Sequence, residues 1–233
     1  MIFNGESKDY IRVKQELFRP PSPPIDFDIF DYPRGGSRVK KKRFTGFTFP
    51  VPIRIYHPDK RIEELKEELS DWLIHDEAKK LGFKDMPNRY YLAHYESMEL
   101  SEKGHFADGV INYFLPDGRR VGEENTISVT TSNTNHVITG QDEAPWTIEV
   151  VFSQNTTTFE LETNQGLYLL LGYEFIEGDR LTIKYEGREV WLNGTRDLRF
   201  AIRLKSNYEL LQPGSLRIKA SHACTLKYDE RFY

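Results

Sequence analysis

The chain has 233 residues, 38% hydrophobic and 29% charged, with a formal net charge of −4 from 32 basic and 36 acidic side chains. That balance lacks the basic excess of a protein that coats nucleic acid, and no apolar run nears the roughly 20 residues of a membrane span. Cys224 is the single cysteine, so neither an intrachain disulfide nor a cysteine-based metal site is available, which suits folding in a reducing cytosol. The length fits one large domain or two of roughly 100–130 residues. A mean hydropathy of −0.61, with fifteen Phe and thirteen Tyr, describes modest, aromatic-rich cores of the kind strands build.

The first nine residues carry charge early and lack an apolar stretch, so they do not read as a signal peptide. Phe3-Asn4-Gly5 is a turn pair after an aromatic, and residues 10–13 alternate as a strand does. Residues 20–24 hold four prolines in five positions, a rigid extended connector. Residues 26–32 follow, then the Arg34-Gly35-Gly36-Ser37 turn. Phe47, Phe49, Val51, Ile53 and Ile55 recur at period two over residues 45–56, and Pro50 and Pro52 predict that this strand lies at a sheet edge. Asp59 stands where an N-cap belongs, and Ile62, Leu65, Leu69, Trp72 and Leu73 form one stripe of a helix that Gly82 is expected to end.

From Arg89 onward the chain reads as strand. Turn residues at Pro116-Asp117-Gly118 and Gly122-Glu123-Glu124-Asn125 mark a boundary near 116–125. Beyond it, strands are expected at 127–131, 146–152, 158–163, 168–171, 180–185, 189–192 and 216–220, separated by Gly and Asn turns. The fold class is therefore mainly β with one main helix: an α+β N-terminal domain over 1–121 and an all-β sandwich or jelly-roll C-terminal domain over 122–233.

Several short motifs occur in a telling order. Phe3-Asn4-Gly5 opens the chain, the helix ends in Trp72-Leu73, and Phe83, Asp85, Pro87 and the pair Tyr90-Tyr91 follow. Tyr113-Phe114-Leu115-Pro116 closes the first half. The second half carries Gly178-Asp179-Arg180-Leu181-Thr182-Ile183, Val190-Trp191-Leu192-Asn193-Gly194 and Leu211-Gln212-Pro213-Gly214. This series resembles the distal tail protein family, the ring at the tail tip of siphophages and related prophages. Arg34-Gly35-Gly36-Ser37 only approximates the Gly-Arg-Asp-Gly-like turn of that family, and the chain is too short for the carbohydrate-binding insertion of some members.

The resemblance implies a non-enzymatic virion part, assembled in the bacterial cytoplasm. It implies a homohexameric ring, single or stacked, built by the N-terminal domain and contacting the tail tube protein on one side and a tail-tip hub protein on the other. It also implies that the final segment, about 216–233, packs back on the first domain. Neither cofactor, nucleic acid nor membrane enters this reading. The candidate subunit or partner interface is Arg38, Lys40, Lys41, Lys42 and Arg43 with Phe47 and Phe49; Phe3, Asn4, Gly5, Trp72, Phe83, Pro87, Tyr90 and Tyr91 are structural.

Other chemistry has weaker support. The cationic run 38–43 is, at its plainest, a solvated hairpin tip; an acidic neighbouring subunit or phosphate groups are the functional readings. Glu160 and Glu162 share a strand face at roughly 6.5–7 Å, within the spacing of inverting glycosidases, but they alternate with Phe159 and Leu161 as an ordinary wet face does. His57, His75, His94, His105, His136 and His222 form no helical metal pair, and His105 with Asp108 is the nearest local couple. Trp146 and Trp191 are candidate sugar platforms for a carbohydrate- or receptor-binding module, the alternative function, although their alternating context favours core packing.

Overall fold

The computed structural model describes residues 1–233. The chain divides into two compact units, residues 1–121 with Tyr233, and residues 122–232. The fold is mainly β, with one α-helix.

In the first unit the strands are β1 (Ile2–Phe3), β2 (Ile11–Val13), β3 (Ile25–Asp31), β4 (Ser37–Phe44) and β5 (Phe47–Tyr56), followed by α1 (Ile62–Leu73). Then come β6 (Lys79–Phe83), β7 (Met86–Lys103), β8 (Phe106–Leu115) and the opening residues of β9 (Arg120–Val129). β5 pairs along its whole length with β8, and β8 with the second half of β7. The first half of β7 pairs instead with β6, which also pairs β1. A register shift between Tyr95 and Ser97 separates the two halves, so one long strand serves two neighbours. The period-two residues Phe49, Val51, Ile53 and Ile55 all face the core, where they meet Leu65, Leu69, Trp72 and Leu73 of the helix. β3 and β4 pair only with each other.

The second unit is a two-sheet sandwich. Its strands are the remainder of β9, β10 (Thr134–Ile138), β11 (Trp146–Val151), β12 (Thr156–Thr163), β13 (Tyr168–Phe175), β14 (Arg180–Lys184), β15 (Val190–Leu192), β16 (Arg196–Asp197), β17 (Gly214–Ala220) and β18 (Cys224–Phe232). One sheet runs β10-β17-β12-β13, the other β16-β15-β14-β11-β18-β9. Alternate residues of both sheets, among them Ile148, Val150, Phe159, Leu161, Leu171, Ile183 and Leu226, make one continuous core. Phe152 stacks on Phe175 at 4.3 Å and meets the edge of Phe159 at 6.4 Å.

Several boundaries differ from expectation. The helix starts at Ile62 with extended Arg61 as its N-cap and no side-chain cap. Asp59 is instead drawn into a local turn, its backbone N–H donating to His57 Nδ1 at 3.1 Å along with that of Lys60. The helix stops at Leu73, where its apolar stripe ends and Ile74 turns extended. Gly82 lies inside β6, paired with Ile2 and Tyr90, and ends nothing. Gly122 to Asn125 continue β9 rather than turning. β5 is also not a simple edge, because β2 covers Ile53 to Ile55. Pro52 turns its carbonyl towards the β2 side, accepting from Lys14 N at 2.9 Å. Residues two apart point alike, so Pro50 faces the same way. The uncovered half of that edge is thus poor in donors, which discourages strand addition.

Candidate assembly interface

The β3–β4 ribbon grows from the proline connector and reverses at Tyr32 to Gly36. Gly35 and Gly36 both adopt φ of +91° there, a conformation that disfavours a side chain. Register decides what each face carries, because directly opposed residues share a face. Ile25 opposes Phe44, Phe27 opposes Lys42, Ile29 opposes Val39 and Asp31 opposes Ser37, so one face is apolar over most of its length, with Lys42 within it and the Asp31–Ser37 pair beside the turn. Asp26 opposes Arg43, Asp28 opposes Lys41 and Phe30 opposes Arg38, so the other is charged. Lys40 is the extra residue at the register shift, and its ammonium lies 5.0 Å above the Phe30 ring. Arg43 Nε donates to Asp26 at 2.8 Å. At the base, Phe44 lies 5.3 Å from the Tyr233 ring and 5.0 Å beneath the Arg119 guanidinium.

The cationic run therefore lies along β4 and is not a hairpin tip, as its plainest sequence reading had it. The surprise is the opposite face. Phe27, Ile29 and Val39 are 46, 52 and 53% exposed, with Ile25 beside them. A two-stranded ribbon is marginal on its own in water, and here, beyond Phe44 at the base, the large apolar side chains of that side stay about half-exposed. The signal was present in the sequence as Ile25, Phe27 and Ile29 at period two, yet alternation alone does not say what fills the other side.

The two predicted aromatic interface residues part company. Phe47 is half-buried, but Phe49 is 1% exposed, packed against Phe83 and Tyr91 at ring distances of 6.2 and 5.5 Å. Phe49 therefore offers no surface to a partner; it shares a face of β5 with Phe47, but that face is covered at Phe49 and only partly covered at the strand's first residue. Phe47 instead borders an apolar groove of about 400 Å³ with Phe18, Pro20, Pro50 and Pro52, and Glu16 supplies its one charged side chain.

The motif residues sit in the frame of the first unit. Asn4 and Gly5 take φ of 51° and 80° in a tight turn, which aims Phe3 into the core against Trp72 at 5.9 Å, edge to face. Trp72 Nε1–H donates to the Phe3 carbonyl at 3.2 Å. Phe83 lies 4.5 Å beneath the Arg19 guanidinium, which is itself bidentate to Asp85 at 2.6 and 2.9 Å. Tyr90 lies under Lys80 at 4.4 Å, Tyr91 is buried, and Pro87 is exposed on β7.

The alternative sites are engaged in other ways. The Asp108 carboxylate accepts from Arg54 at 2.8 and 3.1 Å and from Lys103 at 3.2 Å, with Lys14 at 3.3 Å. Those hydrogen bonds, Arg54 first, hold it well below the usual carboxylate range. Glu160 accepts from the Tyr168 hydroxyl at 2.7 Å and Glu162 pairs with Lys219 at 2.9 Å, both on the outer face of β12. Trp146 is buried, stacked on Tyr208 at 5.6 Å, and donates to the Glu209 carbonyl at 2.8 Å, so it is no sugar platform. Trp191 is half-buried and donates to Glu189 at 3.2 Å. Burial pushes the Cys224 thiol up to about 12.

Comparison with known proteins gives a consistent answer. Residues 5–114 match the phage tail protein RIFT-related domain, and residues 139–232 match the siphovirus-type tail component, C-terminal domain. The distal tail protein of Bacillus phage SPP1 is 33% identical over 172 residues, covering 71% of this chain and 68% of that protein. The crystal structure of the SPP1 Dit protein, described as a paradigm of the hub adsorption apparatus in phages infecting Gram-positive hosts, shares the fold. Its TM-score is 0.88 at 22% identity, over 100% of this chain and 98% of that one. A chain of the phage P2 baseplate in its activated conformation with calcium aligns more loosely, with a TM-score of 0.55 at 8% identity over 95% and 90%.

Proposed function

The chain belongs to the siphophage distal tail protein family and is a structural component of the phage tail, and from that premise we propose that six copies close into a ring at the distal end of the tail. The ring joins the tail tube protein on one side to the tail-tip hub on the other, and its subunits are made in the host cytoplasm before joining the virion. The first unit builds the ring, and its role is structural rather than catalytic.

The observation that carries the ring is the uncovered apolar face of the β3–β4 ribbon. Exposed contiguous apolar surface of this kind marks a protein contact. A ribbon seated on a different surface of the next copy makes a head-to-tail contact. Such contacts close into rings when the rotation allows. Arg38, Lys41 and Arg43 on the other ribbon face, with Lys40 at the register shift and Lys42 within the apolar face, supply the polar groups that interfaces need. Light scattering on a sizing column across a concentration series tests the proposal. Six subunits' mass, or twice that for stacked rings, with annuli in electron micrographs, is the expected result. A single chain's mass at every concentration, including in the presence of the tail tube protein, overturns it.

A further inference from the structure

We infer that Asn4 is a site of spontaneous covalent modification. Its side-chain amide is lost as ammonia, leaving aspartate or isoaspartate in the turn, while the matching turn at Asn193 is spared.

Asn-Gly occurs twice in the chain, and both pairs occupy the same kind of turn. Asn4 and Gly5 have φ of 51° and 80°, and Asn193 and Gly194 have φ of 53° and 72°. Two consecutive positive values define the tight turn that selects Asn-Gly. Phe3 and Glu6 exchange backbone hydrogen bonds of 2.9 and 3.0 Å across the first turn, and Thr195 N–H donates to the Leu192 carbonyl at 3.2 Å across the second. Both asparagines are exposed, and nothing lies within 4 Å of where a Cβ would stand on Gly5 or Gly194. Neither glycine N–H is spent on a backbone hydrogen bond. Water reaches both sites alike.

The side chains differ. Asn193 Oδ1 accepts from Arg180 N–H at 2.9 Å, and its Nδ2 donates to the buried Asp179 carboxylate at 2.9 Å. The Asn4 amide has no hydrogen-bond partner.

The reaction requires the side chain to swing onto the next peptide. The Gly5 nitrogen gives its proton to water or hydroxide and bonds to Asn4 Cγ. The Cγ–Nδ2 bond then breaks and ammonia leaves with a proton from solvent, which closes a cyclic imide. Water opens the imide at the side-chain carbonyl to give aspartate, or at the backbone carbonyl to give isoaspartate. A glycine brings no Cβ to crowd that ring. Opening the turn is a cost common to both sites. At Asn193 the same movement also takes a donor from a buried carboxylate, which makes it costlier. Asn4 gives up no such bond.

The products bear on the frame of the first unit. Isoaspartate lengthens the backbone of the turn by a carbon, so the paired Phe3–Glu6 hydrogen bonds no longer match and Phe3 loses its aim at Trp72. Either product also adds a carboxylate to the cavity of about 390 Å³ that Asn4 lines with Glu6, Glu68 and Asp71, where Lys8 is the one lysine.

Peptide mapping of the full chain, held at mildly alkaline pH and digested at intervals, tests this. Deamidation is read as a gain in mass, which isomerisation at Asp108-Gly109 or Asp117-Gly118 does not give. Isoaspartate is read as methyl transfer by an isoaspartyl methyltransferase. In the folded chain Asn4 should convert at least about tenfold faster than Asn193, a barrier difference of about 1.4 kcal/mol, and in denaturant the two rates should converge. Asp179→Ala, which frees Asn193 Nδ2, should speed conversion at Asn193 and leave Asn4 unchanged; if that variant does not fold, the comparison in denaturant decides. Equal rates in the folded chain, an Asn4 that stays intact, or the same excess at Asn4 in denaturant each overturn the inference.

Discussion

Two hairpins in this chain are written in nearly the same alternating code and meet opposite fates. In β12–β13, Phe159 and Leu161 alternate with Glu160 and Glu162, and the apolar pair faces a second sheet and is fully buried with Leu169 and Leu171. In β3–β4, Phe27 and Ile29 alternate with Asp26 and Asp28, yet no sheet lies opposite and both stay about half-exposed. Alternation specifies which residues share a face. It cannot specify whether anything covers that face. One hairpin completes a core within the chain, and the other leaves its apolar face open.

That contrast can be broken most sharply by truncation. Phe159→Ala should destabilise the second unit by about 3–5 kcal/mol, because a cavity replaces a buried ring. Phe27→Ala in a dilute single chain should cost under about 0.5 kcal/mol, as at an ordinary surface site. Denaturant unfolding of both variants measures the gap, and equal losses would mean that the ribbon is covered within the chain. Changing Phe27, Ile29 and Val39 together to Ser should abolish the ring while leaving far-UV circular dichroism and the main melting transition in place. Retention of ring mass by that variant would remove the ribbon from the interface.

A smaller effect probes the frame that holds the ribbon's unit. Trp72→Phe removes the indole N–H from the buried Phe3 carbonyl and should cost about 1–2 kcal/mol, read as a lower denaturation midpoint at unchanged slope. The smallest effect is expected at Asp108. Its carboxyl is held down by Arg54, Lys103 and Lys14, so the folded pKa lies below the unfolded one. Stability from this group is therefore present in full above the unfolded value, near 3.9, and is lost as pH falls through the folded value. Asp108→Asn should accordingly lower stability at pH 7, with the difference shrinking below about pH 4. A difference that persists unchanged at pH 2 would show that the ion cluster is not its source.

Much of the architecture was legible because it rests on local periodicity. The helix stripe from Ile62 to Leu73, the inward row from Phe49 to Ile55 and most strands of the second unit follow from the spacing of apolar residues. The boundaries that went astray depend on contacts distant in sequence. Asp59 has an N-capping side chain, but His57 organises the preceding turn and the helix begins two residues beyond Lys60. Gly82 looks like a helix stop, but β1 and β7 claim it as strand. The strand β10 was missed because only Val137 and Ile138 in it are aliphatic, and its pairing with β17 supplies its order. Phe49 was placed at the interface with Phe47 because both are aromatics on one face of one strand; Phe47 lies at the strand's first residue, where that face is only partly covered, whereas Phe49 is packed inside the core.

By itself the sequence determined a β-rich chain with one amphipathic helix, no disulfide, and a motif order that resembles a tail-tip family, because composition and period act residue by residue. Only the tertiary structure decided that the cationic run lies along a strand and that its ribbon carries an apolar second face. It also decided that a donor-poor groove lies open elsewhere on the unit. Those features depend on strand register and on which sheet finds a partner, and both are settled by contacts between residues far apart in the chain.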